Sequence, residues 1–132
     1  MVIIFLFMKN AINWFEIPVK NFEKAKTFYE VVLGCKMDIM ENEEMGVKMA
    51  IFPCETERGG IGGSIMYAPD YEPSRKGALV YLNAGEDLAV PLSRVEKAGG
   101  EIIMPKTSLG PNGSMAVFID VEGNRVAFHS KN

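Results

Sequence analysis

The chain of 132 residues is 48% hydrophobic and 23% charged, and its net charge at pH 7 is −3. These values predict a single folded domain over residues 1–132 and exclude a disordered chain. No basic run is longer than the pair Arg75 and Lys76. The composition therefore excludes an electrostatic surface for nucleic acid and a polybasic membrane-binding stripe. We expect a cytoplasmic protein that binds neither nucleic acid nor membranes.

The N-terminal residues 2–7 are all apolar. A helix that crosses a bilayer needs about 20 apolar residues, and a signal peptide begins with basic residues, so neither interpretation fits this segment. An additional edge strand, or a patch covered by a partner chain, is the favoured use. The alternative is that the protein starts at Met8.

The first predicted element of the remaining chain is a strand over residues 11–19. Its side chains alternate, with Trp14 and Glu16 on one side and Phe15 and Ile17 on the other.

A helix is predicted between Asn21, a suitable N-cap, and Gly34, a suitable C-cap. Its apolar residues recur at helical spacing and predict one buried face, made of Ala25, Phe28, Tyr29 and Val32. Three strand-like runs follow, around residues 35–41, 46–53 and 61–67. The glycine-rich run at 59–63 precedes no helix, so a flexible lid or a closely approached strand is favoured over a phosphate loop.

The second half repeats this order after a linker at residues 68–76 that contains two prolines. Its predicted elements are a strand near 78–84, a helix near 87–98 that buries Leu88, Leu92 and Val95, and strands near 101–104, 114–120 and 124–130. Pro91 predicts an irregular or delayed first turn of this helix, because proline lacks an amide hydrogen. The repeated order therefore indicates an internal duplication, with module one at about 10–67 and module two at about 77–131. A cleft is expected between the modules.

Cysteine is scarce, with only Cys35 and Cys54, and these have no Cys-x-x-Cys spacing. Because both lie beside apolar residues, two buried free thiols are the favoured interpretation, and a disulfide is the alternative. With His129 as the only histidine, a structural zinc site is not expected.

Two stretches carry a family resemblance. The first is Trp14-Phe15-Glu16-Ile17-Pro18-Val19-Lys20-Asn21, followed by Ala25, Phe28-Tyr29 and Leu33-Gly34, and the second is Phe118-Ile119-Asp120-Val121-Glu122-Gly123-Asn124-Arg125. Together with Ala98-Gly99-Gly100, they resemble the vicinal-oxygen-chelate superfamily of glyoxalase I, bleomycin-resistance proteins and extradiol dioxygenases. The resemblance implies an α+β fold of two βαβββ modules, whose curved mixed sheets form a shared cavity. It also implies a homodimer, because small proteins of this family often pair.

Catalytic members of the family hold a divalent metal with His, Glu or Gln side chains from the first and last strands of each module. The resemblance puts Trp14 at the first-strand position and Ala127 at the last-strand position. Near the other two positions stand Gly63, Ser64 and Met66 in one strand, and Leu79, Val80 and Tyr81 in the other. None of these is a good metal ligand, so we expect no metal and no other cofactor.

Glu16 and His129 are the candidate catalytic residues. His129 lies two residues beyond Ala127 on the same strand face, which makes its ring a candidate proton carrier; the alternative is an exposed structural histidine near the C-terminus. If Glu16 faces the cavity it is a candidate base, and it then needs a partner such as Arg125, His129 or a tyrosine hydroxyl. The alternative for Glu16 is a structural hydrogen-bonding role.

An apolar, adaptable pocket is also predicted, with Trp14, Met49, Met66, Tyr81, Met115 and Arg125 as ligand-binding residues. The alternative for its apolar members is simple core packing. The favoured function is metal-free binding of a small apolar or aromatic molecule between the modules. A second hypothesis is a lyase, isomerase or dioxygenase-like enzyme, with Glu16 and His129 as acid and base. A third is an interaction protein whose apolar N-terminus belongs to an obligate dimer.

Overall fold

The computed structural model describes residues 10–132, so the predicted use of residues 2–7 lies outside the described residues. The first module comprises β1 (Trp14–Pro18), α1 (Phe22–Leu33), β2 (Asp38–Asn42), β3 (Val47–Ile51) and β4 (Gly62–Tyr67). The second comprises β5 (Val80–Asn83), α2 (Ala89–Val95), β6 (Glu101–Ser108), β7 (Ser114–Ile119) and β8 (Arg125–Ser130). Short 3-10 turns at Thr56–Arg58 and Gly110–Asn112 lie before β4 and β7.

Each module forms one four-stranded mixed sheet. The strand orders are β1-β4-β3-β2 and β5-β8-β7-β6, and in each sheet only the first and last strands of the module pair in parallel. The predicted α+β duplication of two βαβββ modules is therefore confirmed. The two sheets do not close into a barrel.

The helix α1 begins and ends where its capping residues predict. The side chain of Asn21 accepts a hydrogen bond from the Lys24 amide at 3.2 Å, and Gly34 adopts the left-handed conformation with φ 65°. The predicted apolar face is buried, together with Phe22. Glu122, from the turn between β7 and β8, reaches the start of this helix and accepts a hydrogen bond from the Asn21 amide at 2.6 Å.

The helix α1 packs against both sheets. The ring of Tyr29 lies edge-on to Phe52 with 5.3 Å between centroids, whereas Phe28 lies 6.2 Å from Phe118 of β7. The helix-facing sides of the two sheets thus bury one common core. The opposite side of each sheet is turned away from that core, and we call these two sides the first open face and the second open face.

A buried polar network joins the modules at the turn between β7 and β8. Asp120, 3% exposed, accepts hydrogen bonds from the Tyr29 hydroxyl at 2.6 Å and from the side-chain amide of Asn124 at 3.1 Å. The same amide also donates to the Pro18 carbonyl at 2.7 Å, and its oxygen accepts from the Ser74 amide at 2.9 Å. The family-like motif at 120–124 therefore joins β1, α1 and the linker in one place.

The second module departs from prediction at two elements. The helix α2 is shorter than the predicted 87–98 and ends at Val95, although Leu88, Leu92 and Val95 are buried as predicted. Pro91 lies in its first turn, where an amide hydrogen has no partner within the helix. The strand β6 extends to Ser108, beyond the predicted 104, with register shifts against β7.

Both cysteines are free, as the favoured interpretation predicts. The prediction that both are buried is wrong, because Cys35 is half-buried and Cys54 is exposed in the segment that follows β3. None of the helices within residues 10–132 has the length and apolar character needed to span a bilayer.

Candidate functional site

The first open face is defined by the register of β1 through β4. Trp14 lies opposite Gly62, Glu16 lies opposite Ser64, and Met66 lies opposite Met49. The side chains of β2 to β4 that share this face with Trp14 and Glu16 include Asp38, Met40, Met49, Ile51, Ser64 and Met66. The sequence places these residues here because side chains alternate strictly along each strand.

Two glycines of β4 allow aromatic rings to lie against both of its sides. A Cβ atom on Gly62 would be 3.1 Å from the ring of Trp14, and one on Gly63 would be 2.3 Å from the ring of Phe15. Two uses were predicted for the glycine-rich run, a flexible lid and a strand that other groups approach closely. The contacts of these two rings match the second. Trp14 lies on the open side and is 39% exposed, while Phe15 packs against the core.

Glu16 is bound by a residue of the linker. The hydroxyl of Tyr71 donates a hydrogen bond to the Glu16 carboxylate at 2.9 Å, so its predicted partner is a tyrosine hydroxyl rather than Arg125 or His129. This bond and the negative charge of Glu16 raise the pKa of Tyr71 above its ordinary value. Beside it, Glu72 forms an ion pair with Lys20 at 2.8 Å, which holds the linker near the end of β1.

Ser64 carries an unsatisfied hydroxyl. It lies at the centre of the first open face, between Glu16 on β1 and Ile51 on β3, and its exposed fraction is 0%. Within residues 10–132 its Oγ is the one buried side-chain oxygen or nitrogen without a hydrogen-bond partner. Because an unpartnered buried hydroxyl destabilises the folded state, this atom is a candidate contact for a bound molecule.

The second open face carries the other predicted residues. Tyr81 lies opposite Ala127, Met115 lies opposite His129, and Arg125 begins β8 on the same side. At the His129 end of this face, an open depression of about 780 Å³ is lined by Tyr81, Asn83, Gly85, Glu86, His129, Ser130 and Lys131.

His129 is exposed, and the turn before β7 holds its ring. Its Nε2 atom lies 2.7 Å from the carbonyl oxygen of Asn112. A carbonyl is only an acceptor, so Nε2 carries the hydrogen, and in a neutral ring Nδ1 is then the nitrogen with a free lone pair. The exposed position of His129 matches the alternative of an exposed structural histidine. It nevertheless leaves Nδ1 of the ring without a hydrogen-bond partner among the described residues.

The structure brings the predicted residues together in two separate sets. Trp14, Glu16, Met49 and Met66 lie on the first open face, whereas Tyr81, Met115, Arg125 and His129 lie on the second. The residues predicted to line a pocket are exposed or half-buried and lie outside the buried core. No hydrogen bond or salt bridge between described residues joins Glu16 to His129.

Ser64 of the first open face and Tyr71, which contacts it from the linker, were not predicted as functional. Ser64 was considered only as a poor metal ligand, although its alternation with Gly62 and Met66 assigns it to the face of Trp14. Tyr71 belongs to the linker, and no periodic signal there indicates that it reaches Glu16.

The side chains at the family's ligand positions do not fit a divalent metal. Trp14, Ser64, Tyr81 and Ala127 provide an indole, a hydroxyl, a phenol and a methyl group, rather than the imidazole, thiolate and carboxylate groups that such ions prefer. Across residues 10–132, no three His, Cys, Asp or Glu side chains come together as a ligand set.

A smaller depression of about 480 Å³ lies at the end of α1, away from these residues. It is lined by Thr27, Glu30, Val31, Gly34, Cys35 and Lys36. Burial raises the pKa of the Cys35 thiol, which keeps it protonated and weakens it as a nucleophile. Glu30 is occupied by Lys26 at 3.1 Å and by the Met37 amide at 2.8 Å. Because the carboxylate there is already paired and the thiol is protonated, we assign the candidate site to the open faces.

Comparison with known families and structures agrees with this fold. The family described as the Glyoxalase/Bleomycin resistance protein/Dioxygenase superfamily matches residues 11–128. A search among curated protein sequences finds no match.

Several solved structures share the fold. Glyoxalase I from Zea mays is 22% identical with a TM-score of 0.68, over 90% of this chain and 45% of that chain. TnmS3, an antibiotic binding protein from Streptomyces sp. CB03234, is 22% identical with a TM-score of 0.60, over 96% and 100% of the two chains. FosX, a fosfomycin resistance protein from Listeria monocytogenes, is 14% identical with a TM-score of 0.63, over 95% and 94%. Identities this low establish the shared fold and no activity.

Proposed function

Because this chain belongs to the Glyoxalase/Bleomycin resistance protein/Dioxygenase superfamily, we propose that it binds a small apolar or aromatic molecule on its first open face without a metal. The observation that carries the proposal is the first open face, where Trp14 is 39% exposed and the half-buried Met49 and Met66 lie on the same side of the sheet. Methionine side chains are flexible and polarizable, so they adapt to apolar ligands of different shape. One solved structure of the same fold, TnmS3, is described as an antibiotic binding protein, which supports a binding role.

Binding is tested through Trp14, which is the only tryptophan of the chain. When small aromatic compounds from a panel are titrated into the protein, at least one is expected to change the fluorescence of Trp14 until the signal reaches a plateau at high ligand concentration. Met66→Ala is expected to weaken binding, because it removes apolar contact area from the first open face. The matched control is Met45→Ala, at an exposed methionine in the turn before β3. Failure of every compound in the panel to perturb Trp14 contradicts the proposal.

The absence of a resident metal is tested separately. Protein purified with Ni²⁺, Zn²⁺, Mn²⁺ and Fe²⁺ is expected to retain none of them in stoichiometric amount by mass spectrometry, since the donor set is poor. A stoichiometric ion whose retention depends on residues of the open faces contradicts this part of the proposal.

We also propose a homodimer in which a second copy covers exposed apolar side chains on the edge strands β2, β5 and β6. Tyr81 is 51% exposed, Met40 is 57% exposed and Met104 is 37% exposed, so each open face presents apolar side chains to solvent. Light scattering of the full chain is expected to give twice the monomer mass, and a chain starting at Met8 tests the contribution of the apolar N-terminus. A monomer at all accessible concentrations contradicts the dimer. A cytoplasmic location is supported by the two free cysteines, which reducing compartments maintain.

A lyase or isomerase activity is the second candidate function. It is favoured by the free lone pair on Nδ1 of His129, beside a depression large enough for a small substrate. A panel of α-keto and thiohemiacetal substrates is expected to include one that turns over, with activity abolished in His129→Gln, whose ring lines the depression. Turnover unaffected by this substitution contradicts the assignment of His129.

A further inference from the structure

The first open face is both apolar and acidic. Across the four strands, one row of side chains on this face is Glu16, Ser64, Ile51 and Asp38, and the adjoining row contains Met66, Met49 and Met40. The two charged residues are both carboxylates, and no strand residue on this face is basic. Lys20, which follows β1, is paired with Glu72 at 2.8 Å.

Glu16 has no cationic partner within residues 10–132. It is half-buried, and its hydrogen bond comes from the neutral phenol of Tyr71 at 2.9 Å rather than from a lysine, arginine or histidine. The salt bridges among the described residues do not include it. A carboxylate partly removed from water attracts a cation more strongly than one that is fully hydrated.

Aromatic rings adjoin this carboxylate. Trp14 lies two positions earlier on the same strand face, a separation of about 7 Å along the strand. It is 39% exposed, and Tyr71, in contact with the carboxylate, is 38% exposed. An ammonium group is attracted to the face of an aromatic ring within about 6 Å of its centre, so a cation held by Glu16 is within reach of such rings.

Ser64 provides an independent observation that points to a ligand. Its hydroxyl is fully buried without a partner, and it lies beside Glu16 in the strand register, on the same face. A hydroxyl oxygen accepts hydrogen bonds, and an ammonium donates three. One ammonium group can therefore satisfy Glu16 and Ser64 together once the side chains that cover Ser64 move aside.

We propose that the first open face selects molecules that join an apolar or aromatic body to a protonated amine, over neutral or anionic molecules of the same shape. Glu16 and Ser64 bind the ammonium, Trp14 covers it, and the methionine row contacts the apolar body. This inference rests on the proposed binding function and adds the charge of the ligand.

The test uses three probes of matched shape: phenethylammonium, phenethyl alcohol and phenylacetate. Each is titrated into the full chain, and binding is followed by the fluorescence of Trp14. We expect phenethylammonium to bind about tenfold more tightly than phenethyl alcohol, from the ion pair and the ring contact together. Phenylacetate is expected to bind more weakly than the alcohol, because Glu16 repels it.

Three variants separate the contributions. Glu16→Gln is expected to remove the preference for the cation, so that phenethylammonium and phenethyl alcohol bind alike. Ser64→Ala is expected to weaken binding of phenethylammonium severalfold while the protein remains folded. The matched control is Glu96→Gln, which makes the same change of charge at an exposed residue at the end of α2.

The outcomes distinguish this inference from the proposed function. Equal binding of the three probes, or a cation preference that persists in Glu16→Gln, overturns the inference and leaves the binding function standing. No fluorescence response to any probe contradicts both. Circular dichroism reports whether a variant is folded. If Glu16→Gln is unfolded, Asp38→Asn on the exposed edge strand β2 provides the second test and is expected to reduce the cation preference.

Discussion

Replacing Tyr29 with phenylalanine tests the connection between the two modules. Tyr29 is 0% exposed in α1, and its hydroxyl donates to Asp120 of the second module at 2.6 Å. The variant keeps the ring, and with it the edge-on contact with Phe52. Because Asp120 also accepts hydrogen bonds from Glu122 and Asn124, the carboxylate is not left without partners. The expected cost is therefore that of one hydrogen bond to a charged group, about 2 kcal/mol of unfolding free energy.

Urea denaturation measures this cost, with unchanged slope and a lower midpoint expected for Tyr29→Phe. The matched control is Tyr67→Phe, at a tyrosine that is 42% exposed, where we expect a change within about 0.5 kcal/mol. A loss at Tyr29 no larger than the loss at Tyr67 refutes the reasoning, because the buried bond between the modules would then contribute nothing.

The stability of Tyr29→Phe is also expected to depend on pH, in a direction that the pKa of Asp120 determines. Burial raises the pKa of Asp120 above its ordinary 3.8, although its hydrogen bonds oppose that shift. An acid whose pKa is raised on folding stabilises the folded state when it is protonated. This contribution to the free energy of unfolding is fully present below 3.8 and is lost as pH rises through the folded pKa. Removing the Tyr29 donor raises this pKa further. The stability difference between the native protein and Tyr29→Phe is thus expected to narrow as pH falls through the folded pKa, and a difference that widens contradicts this account.

Three further substitutions test local features, each measured by urea denaturation. Ser64→Ala is expected to raise the free energy of unfolding by about 1 kcal/mol, because it removes an unsatisfied buried hydroxyl; a clear loss of stability means that this hydroxyl has a partner. Gly63→Ala is expected to cost about 2 kcal/mol, since its Cβ would lie 2.3 Å from the Phe15 ring, and an unchanged stability would show that the ring moves freely. Asn21→Ala is expected to cost about 1 kcal/mol through loss of the cap on the Lys24 amide, with Asn21→Asp as the conservative control that retains it.

Much of the fold is predictable because its signals are local. The caps at Asn21 and Gly34 and the apolar spacing between them define α1 without reference to other elements. The alternation around Trp14 and Glu16 likewise assigns their common strand face correctly. The end of α2 was predicted less well, because Ala98 continues the apolar spacing of the helix but lies in the turn after it.

The candidate site depends on contacts between distant parts of the chain, and these have no periodic signal. The bond from Tyr71 to Glu16 requires the linker to turn back toward β1, which its prolines and polar residues do not indicate. The separation of Glu16 from His129 follows from how the modules pack through α1, rather than from either strand. Alternation predicted which residues share a strand face, whereas the packing of the modules decides which faces meet.

The parallel pairing within each module has a consequence for folding during synthesis. β1 pairs only with β4, and β5 only with β8, so neither sheet is complete until the last strand of its module has been made. Phe28 of α1 moreover packs against Phe118, which is synthesised later because it belongs to the second module. Contacts so distant in sequence slow folding, and a nascent first module exposes apolar surface in the meantime. The first module released alone should therefore depend on chaperones, although its own sheet is already complete.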